Sequence, residues 1–146
     1  MSSARSKART RAFQILFEAD HRGVDPQQVL ADWVGRARDP QPDEGTPQVG
    51  EYTMQLIEGY VAHARRIDDL IAQYSVDWTL DRMPIADRNV LRLGAYELIW
   101  EDGTPDAVVL DEAVEIAKKF STDDSPAFVN GLLARFMELK PSIRRA

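Results

Sequence analysis

Apolar residues recur at three- and four-residue spacing along nearly the whole chain, and no stretch of useful length alternates apolar with polar. A 3.6-residue period places side chains on one stripe of an α-helix and cannot serve one face of a strand, so the pattern confines the chain to an all-α fold. Ala8, Ala12, Ile15, Leu16 and Ala19 form such a stripe from about Ala4 to Asp20. Asp25 followed by Pro26 is a capped helix start, with Val29, Leu30, Trp33 and Val34 turned inward. The segment Arg38 to Pro47, with three prolines and Gly45, reads as the most mobile loop. A long helix follows, with Val49, Leu56, Tyr60, Ala64, Ile67, Ile71 and Tyr74 as its inner stripe.

The pattern breaks between Ser75 and Met83, and Pro84 opens a helix with Val90, Leu91, Gly94, Ala95 and Leu98 on its buried side. Gly94 costs about 1 kcal/mol against alanine inside a helix, which points to a close helix contact there. Gly103, Thr104 and Pro105 separate this helix from one that buries Val109, Leu110, Ala113, Val114 and Ala117. The last helix is expected to start at Asp124 or Ser125 and to run to about Lys140. The expectation is therefore six to seven helices in one domain, residues 1–146, with a division near Ser75 into halves of about 1–75 and 76–146.

With 146 residues, 44% apolar and 29% charged, the chain has the composition of a globular domain able to bury a core. The absence of cysteine excludes disulfides, thiolate chemistry and cysteine-ligated zinc. With no membrane-length apolar run and no apolar signal core, a cytoplasmic protein is expected. His21 and His63 lack metal-ligand spacing, and Asp68-Asp69, Asp111-Glu112 and Asp123-Asp124 read as solvated faces or caps. No phosphate loop, nucleophile elbow or dinucleotide fingerprint occurs. Neither enzymatic activity, nor a cofactor, nor a metal is expected.

Charge is unevenly distributed. Arg5, Lys7, Arg9 and Arg11 fall in the first eleven residues without an acid among them. Taking those four cations from the net charge of −6 leaves −10 on the remainder. A basic tip on an acidic body suits a local nucleic-acid site with partners elsewhere. On a helix, Arg5 and Arg9 form one cationic row and Lys7 and Arg11 a second, spaced to straddle a phosphate backbone. A solvated helix terminus is the plainer alternative. Phe13 and Phe17 lie about 100° from the centre of the main apolar stripe, which fits either a wide buried face or an exposed partner surface. Phe128, just past Pro126 at a helix start, fits either a staple on Phe120 or Ile116 or a platform for an unpaired base.

The run Lys7-Ala8-Arg9 with Ala12, Gln14, Leu16 and Phe17, the segment Asn89 to Leu98, and the stretch Val109 to Leu133 together resemble the NusB family of bacterial transcription antitermination factors. The resemblance covers nearly the whole chain. It implies two fused three-helix subdomains and binding of the boxA element of nascent, notably ribosomal, RNA as a single strand. It also implies NusE, a small-subunit ribosomal protein, as partner, and action in the elongation complex with RNA polymerase. On this resemblance, the arginine-rich start maps to Arg5, Lys7 and Arg9, which Arg11 joins from the charge pattern, and the RNA-facing residues near the last helix map to Asp124 and Phe128. Asp87 matches an acidic contact near the NusE and RNA surfaces; from their helix position rather than the resemblance, Phe13 and Phe17 are placed with partner binding, including a homodimer through the first helix. Ser6 interrupts the family's denser arginine run, so weaker RNA affinity and greater dependence on a partner are expected. The same fold occurs as the N-terminal RNA-binding domain of ribosomal RNA cytosine methyltransferases, so a domain related to those is the runner-up expectation, counted against because no methyltransferase domain is expected to follow. A helical adaptor using Asp111, Glu112 and Glu115 without RNA is the other alternative.

Overall fold

A computed structural model describes residues 3–38, 48–76 and 78–145, with the backbone alone for residue 145. Among them are six helices and no strand: α1 (Ala4–Arg22), α2 (Pro26–Ala37), α3 (Glu51–Tyr74), α4 (Ile85–Trp100), α5 (Asp106–Phe120) and α6 (Ser125–Arg145). The expected mobile loop falls largely outside the described residues. No helix among them is long and apolar enough to cross a membrane.

Local chemistry sets the helix ends. The Ser3 hydroxyl accepts from the Ser6 amide at the start of α1. Gly23 closes that helix at φ 70°, and the Gly23 and Val24 amides donate back to the carbonyls of Asp20 and Ala19. Such a left-handed closure favours glycine. The Asp25 carboxylate then accepts from the Gln27 amide at 2.7 Å while Pro26 fills the first position of α2, as its spacing predicts.

Helix α4 is central. Twelve of its sixteen residues are buried, and it packs against α1, α3, α5 and α6. A helix enclosed in this way must be apolar nearly all round, and any polar group it carries needs a partner. Arg88 and Arg92 on α4 hold Asp20 of α1, and Arg92 also holds Asp68 of α3. Burial by itself would raise the Asp20 carboxyl, but hydrogen bonds from Arg88 and Asn89 and the charges of Arg92 and Arg88 hold it below the usual carboxylate range.

Two glycines let helices close on α4. A Cβ on Gly94 would lie 2.8 Å from Leu133 Cδ1 of α6, which accounts for the glycine at this position. Gly59 on α3 is tighter still: its Cβ would overlap the Tyr96 ring of α4 at Cζ. Gly59→Ala is expected to lower the melting temperature through a clash of about 1–3 kcal/mol. Gly35→Ala, in open space on α2, is expected to raise it by up to about 1 kcal/mol. Thermal unfolding of the two variants side by side checks both signs.

Several details differ from expectation. Trp33 and Val34 of α2 are half-buried, as are Val49, which precedes α3, and Ala64 and Tyr74 within it, while Thr53, Ile57 and Leu70 join the buried face of α3. Val114 is only half-buried, and Ile116 fills the inner stripe of α5 instead. Helix α6 continues through Pro141 to Arg145. The lost amide is offset by long-range ties: Ile143 is buried, its carbonyl accepts from Arg66 Nη2 at 3.0 Å, and Lys140 and Arg144 pair with Asp106 and Asp102.

Candidate nucleic-acid interface

The two cationic rows of α1 lead to different places. Lys7 and Arg11, with Ser6, Thr10 and Gln14, line an open groove of about 480 Å³ against Glu112, Glu115, Ile116 and Lys119 of α5. Lys7 is exposed and Arg11 half-buried, so both ammonium and guanidinium can meet a phosphate from solvent. Lys119 brings a third cation from the opposite wall. Its place in the sequence does not single it out, because it reads there as an ordinary basic helix end. The signal available is the stripe Glu112, Glu115, Lys119 at i, i+3 and i+7 on α5, which marks one polar helix face.

The other row turns inward. Arg5 is exposed, with its guanidinium carbon 4.3 Å from the Tyr52 ring centroid and Nη1 donating to Thr104 Oγ1 at 3.4 Å. Arg9 corrects the expectation of a phosphate contact. It is 3% exposed, and its guanidinium forks onto the Glu97 carboxylate, Nε at 2.8 Å and Nη2 at 2.7 Å. Glu97 also accepts from the Tyr52 hydroxyl at 2.6 Å and from Thr104 Oγ1 at 3.3 Å. Burial opposes the Arg9 charge, but the Glu97 hydrogen bond and charge outweigh it and raise its pKa. Burial, reinforced by the hydrogen bond to Glu97, raises the Tyr52 phenol. Arg9 is thus a strut that ties α1 to α4 and α3, and it fixes the direction in which Lys7 and Arg11 point.

Asp87 is also corrected as a surface contact, because it is fully buried. One carboxylate oxygen accepts from the hydroxyls of Ser121 and Ser125, the latter at 2.7 Å; Oδ2 has no partner among the described residues. These two serines flank the turn that carries Asp124, so Asp87 positions the start of α6 from beneath. Asp124 is exposed, and its carbonyl accepts from the Phe128 amide at 3.3 Å. Phe128 is half-buried and meets Trp78 edge-on, with centroids 5.0 Å apart at 71°. It does not staple onto Phe120, which instead packs on Phe13 at 5.1 Å.

Phe13 and Phe17 separate. Phe13 is 2% exposed and belongs to the core, which corrects its placement as a partner contact; the wide buried face accounts for it. Phe17 is 36% exposed and, with exposed Phe120, flanks Phe13 as an apolar strip on the surface. His21 lies exposed beside Phe17, and His63 stacks on Trp100 at 4.2 Å. Among the described residues no cluster of three or more metal-ligating side chains occurs.

A sequence profile of the NusB family matches residues 6–138. The transcription antitermination protein NusB of Streptomyces griseus is 68% identical over 143 residues, covering 98% of this chain and 98% of its own length. Among solved structures, T. maritima NusB is 35% identical with a TM-score of 0.79, and the overlap covers 100% of each chain. A crystal structure of the antitermination factors NusB and NusE in complex with dsRNA matches with a TM-score of 0.74 and 29% identity, covering 92% of this chain and 96% of that one.

Proposed function

The chain belongs to the NusB family, and we propose that it is a non-catalytic, RNA-binding antitermination factor that engages boxA RNA together with NusE. The observation that carries the RNA half is the α1–α5 groove, where Lys7, Arg11 and Lys119 converge on a molecule whose remaining charge is net negative. Local cations attract a phosphate chain, while the acidic body repels it elsewhere and so confines it to the groove. Arg5, exposed over the Tyr52 ring on the neighbouring row, is a further cation outside the groove, and Phe128 with Asp124 at the start of α6 supplies an aromatic for an unpaired base. The apolar strip of Phe17 and Phe120 is the surface for NusE or for a second copy in a homodimer, and the net negative charge of the body outside the basic tip suits a basic ribosomal protein. Loading onto RNA polymerase in the cytoplasm follows as the further step of the same reading.

Titrating fluorescent boxA RNA with the protein alone and with NusE present tests the proposal. Binding by the protein alone, strengthened when NusE is added, is expected; failure to bind in both cases contradicts it. Because the related complex holds dsRNA, the titration includes duplex as well as single-stranded boxA, and the adaptor reading without RNA would leave both unbound.

Phe128 has its own test. Phe128→Ala is expected to weaken RNA binding by about 1–3 kcal/mol, since the ring is half-buried and available on one side. A fall in folding stability of about 3–5 kcal/mol with unchanged RNA affinity would make the ring structural. RNA titration paired with thermal unfolding separates the two outcomes.

A further inference from the structure

Two carboxylates stand in the groove assigned to RNA, where they oppose any phosphate that enters. Glu112 is already engaged: it accepts from the Ser6 hydroxyl, and its Oε1 lies 3.7 Å from Arg9 Nη1. Glu115 is held only at the surface. Its ion pair with Lys118, at 3.2 Å and the only one among the described residues, is solvent-exposed on both sides, and such pairs hold a side chain weakly. A weakly held carboxylate beside three groove cations repels the backbone of a bound strand unless it faces something that donates hydrogen bonds.

We infer that Glu115 reads the base edge of a guanine lodged between α1 and α5. The inference rests on the assignment of this groove to RNA. A carboxylate is acceptor-only, with two oxygens side by side. An unpaired guanine presents two adjacent donors on its Watson–Crick edge, N1–H and the 2-amino group, and so matches it bidentately. Uracil offers a single N–H flanked by carbonyl oxygens, which repel the carboxylate. Gln14, on the facing wall, carries an amide that can donate to guanine O6. Lys7, Arg11 and Lys119 then bind the flanking phosphates, giving the division in which phosphate contacts position and base contacts specify. The carboxylates lower the general affinity of the groove and in exchange make it selective.

The sign of one substitution separates this from a bystander role. The probes are uridine decamers carrying a single central guanosine, inosine (which lacks the 2-amino group) or uridine, titrated against the wild-type chain and Glu115→Gln. The wild type is expected to prefer the guanosine decamer by about tenfold over the all-uridine one, with inosine in between. Glu115→Gln is expected to reduce that preference to twofold or less while binding the all-uridine decamer at least as well, because a repelling charge has gone. If Glu115→Gln strengthens binding to all decamers equally, or if the wild type shows no preference, the inference is overturned. Loss of NusE capture with base preference intact would assign Glu115 to a protein partner and overturn it as well. Lys7→Ala/Arg11→Ala serves as the reference: if that variant binds every decamer as tightly as the wild type, the assignment of the groove itself has failed.

Discussion

Glu97→Ala is expected to cost about 3–5 kcal/mol of folding stability, a fall in melting temperature on the order of ten degrees. The variant leaves the buried Arg9 guanidinium with only Glu112, 3.7 Å away and without a hydrogen bond, and removes the acceptor of the Tyr52 hydroxyl at the same time. The loss is thus mainly the cost of a buried charge without its hydrogen-bonded acceptor rather than the worth of one ion pair. Arg9→Met/Glu97→Leu, which removes both charges and keeps the volume, is expected to recover most of the stability. Chemical denaturation of the two variants checks this. A Glu97→Ala protein within about 1 kcal/mol of the wild type would mean that α1 is held by its apolar stripe alone and that Arg9 is free to serve elsewhere.

Phe13→Ala is expected to cost a further large sum, about 3–5 kcal/mol, because the ring is enclosed between α1 and the end of α5 and its removal leaves a cavity. Phe17→Ala, one turn along the same helix but open to solvent, is expected to change stability by less than about 1 kcal/mol and to weaken association with NusE or with a second copy. Unfolding curves and sedimentation of the pair separate core from interface. Equal stability losses would place both rings in the core and leave the partner surface without its aromatic anchor.

The elements that depend on near neighbours along the chain are legible in the sequence. The Asp25–Pro26 start, the inner stripe of α1 and the close approach at Gly94 are written in spacings of one to four residues, and local hydrogen bonds and steric limits decide them. The groove cations Lys7 and Arg11 are likewise legible, because both sit on one side of one helix. Arg9 is not. Its row with Arg5 has the spacing of a phosphate-binding stripe, and the acceptor that claims it, Glu97, lies 88 residues further along the chain. Asp87 is hidden for the same reason, since Ser121 and Ser125 reach it across 34 and 38 residues. Gly59 reads as an ordinary helix glycine until the Tyr96 ring is placed against it. Pro141 looks like a helix stop because a proline removes one amide, and only the contacts of Ile143 and Arg144 with distant residues carry the helix past it. Charged residues carry the functional signal here, yet a charge pattern alone does not tell a strut from a contact.

The salt dependence of RNA binding tests the central claim most directly. Three phosphate contacts on a single strand contribute about −2 to the slope of log affinity against log salt concentration. Lys7→Ala/Arg11→Ala/Lys119→Ala is expected to fold as the wild type does, to bind boxA RNA at least about tenfold more weakly at low salt, and to lose that part of the slope. An unchanged affinity and an unchanged slope in this triple variant would contradict the assignment of the α1–α5 groove as the RNA site.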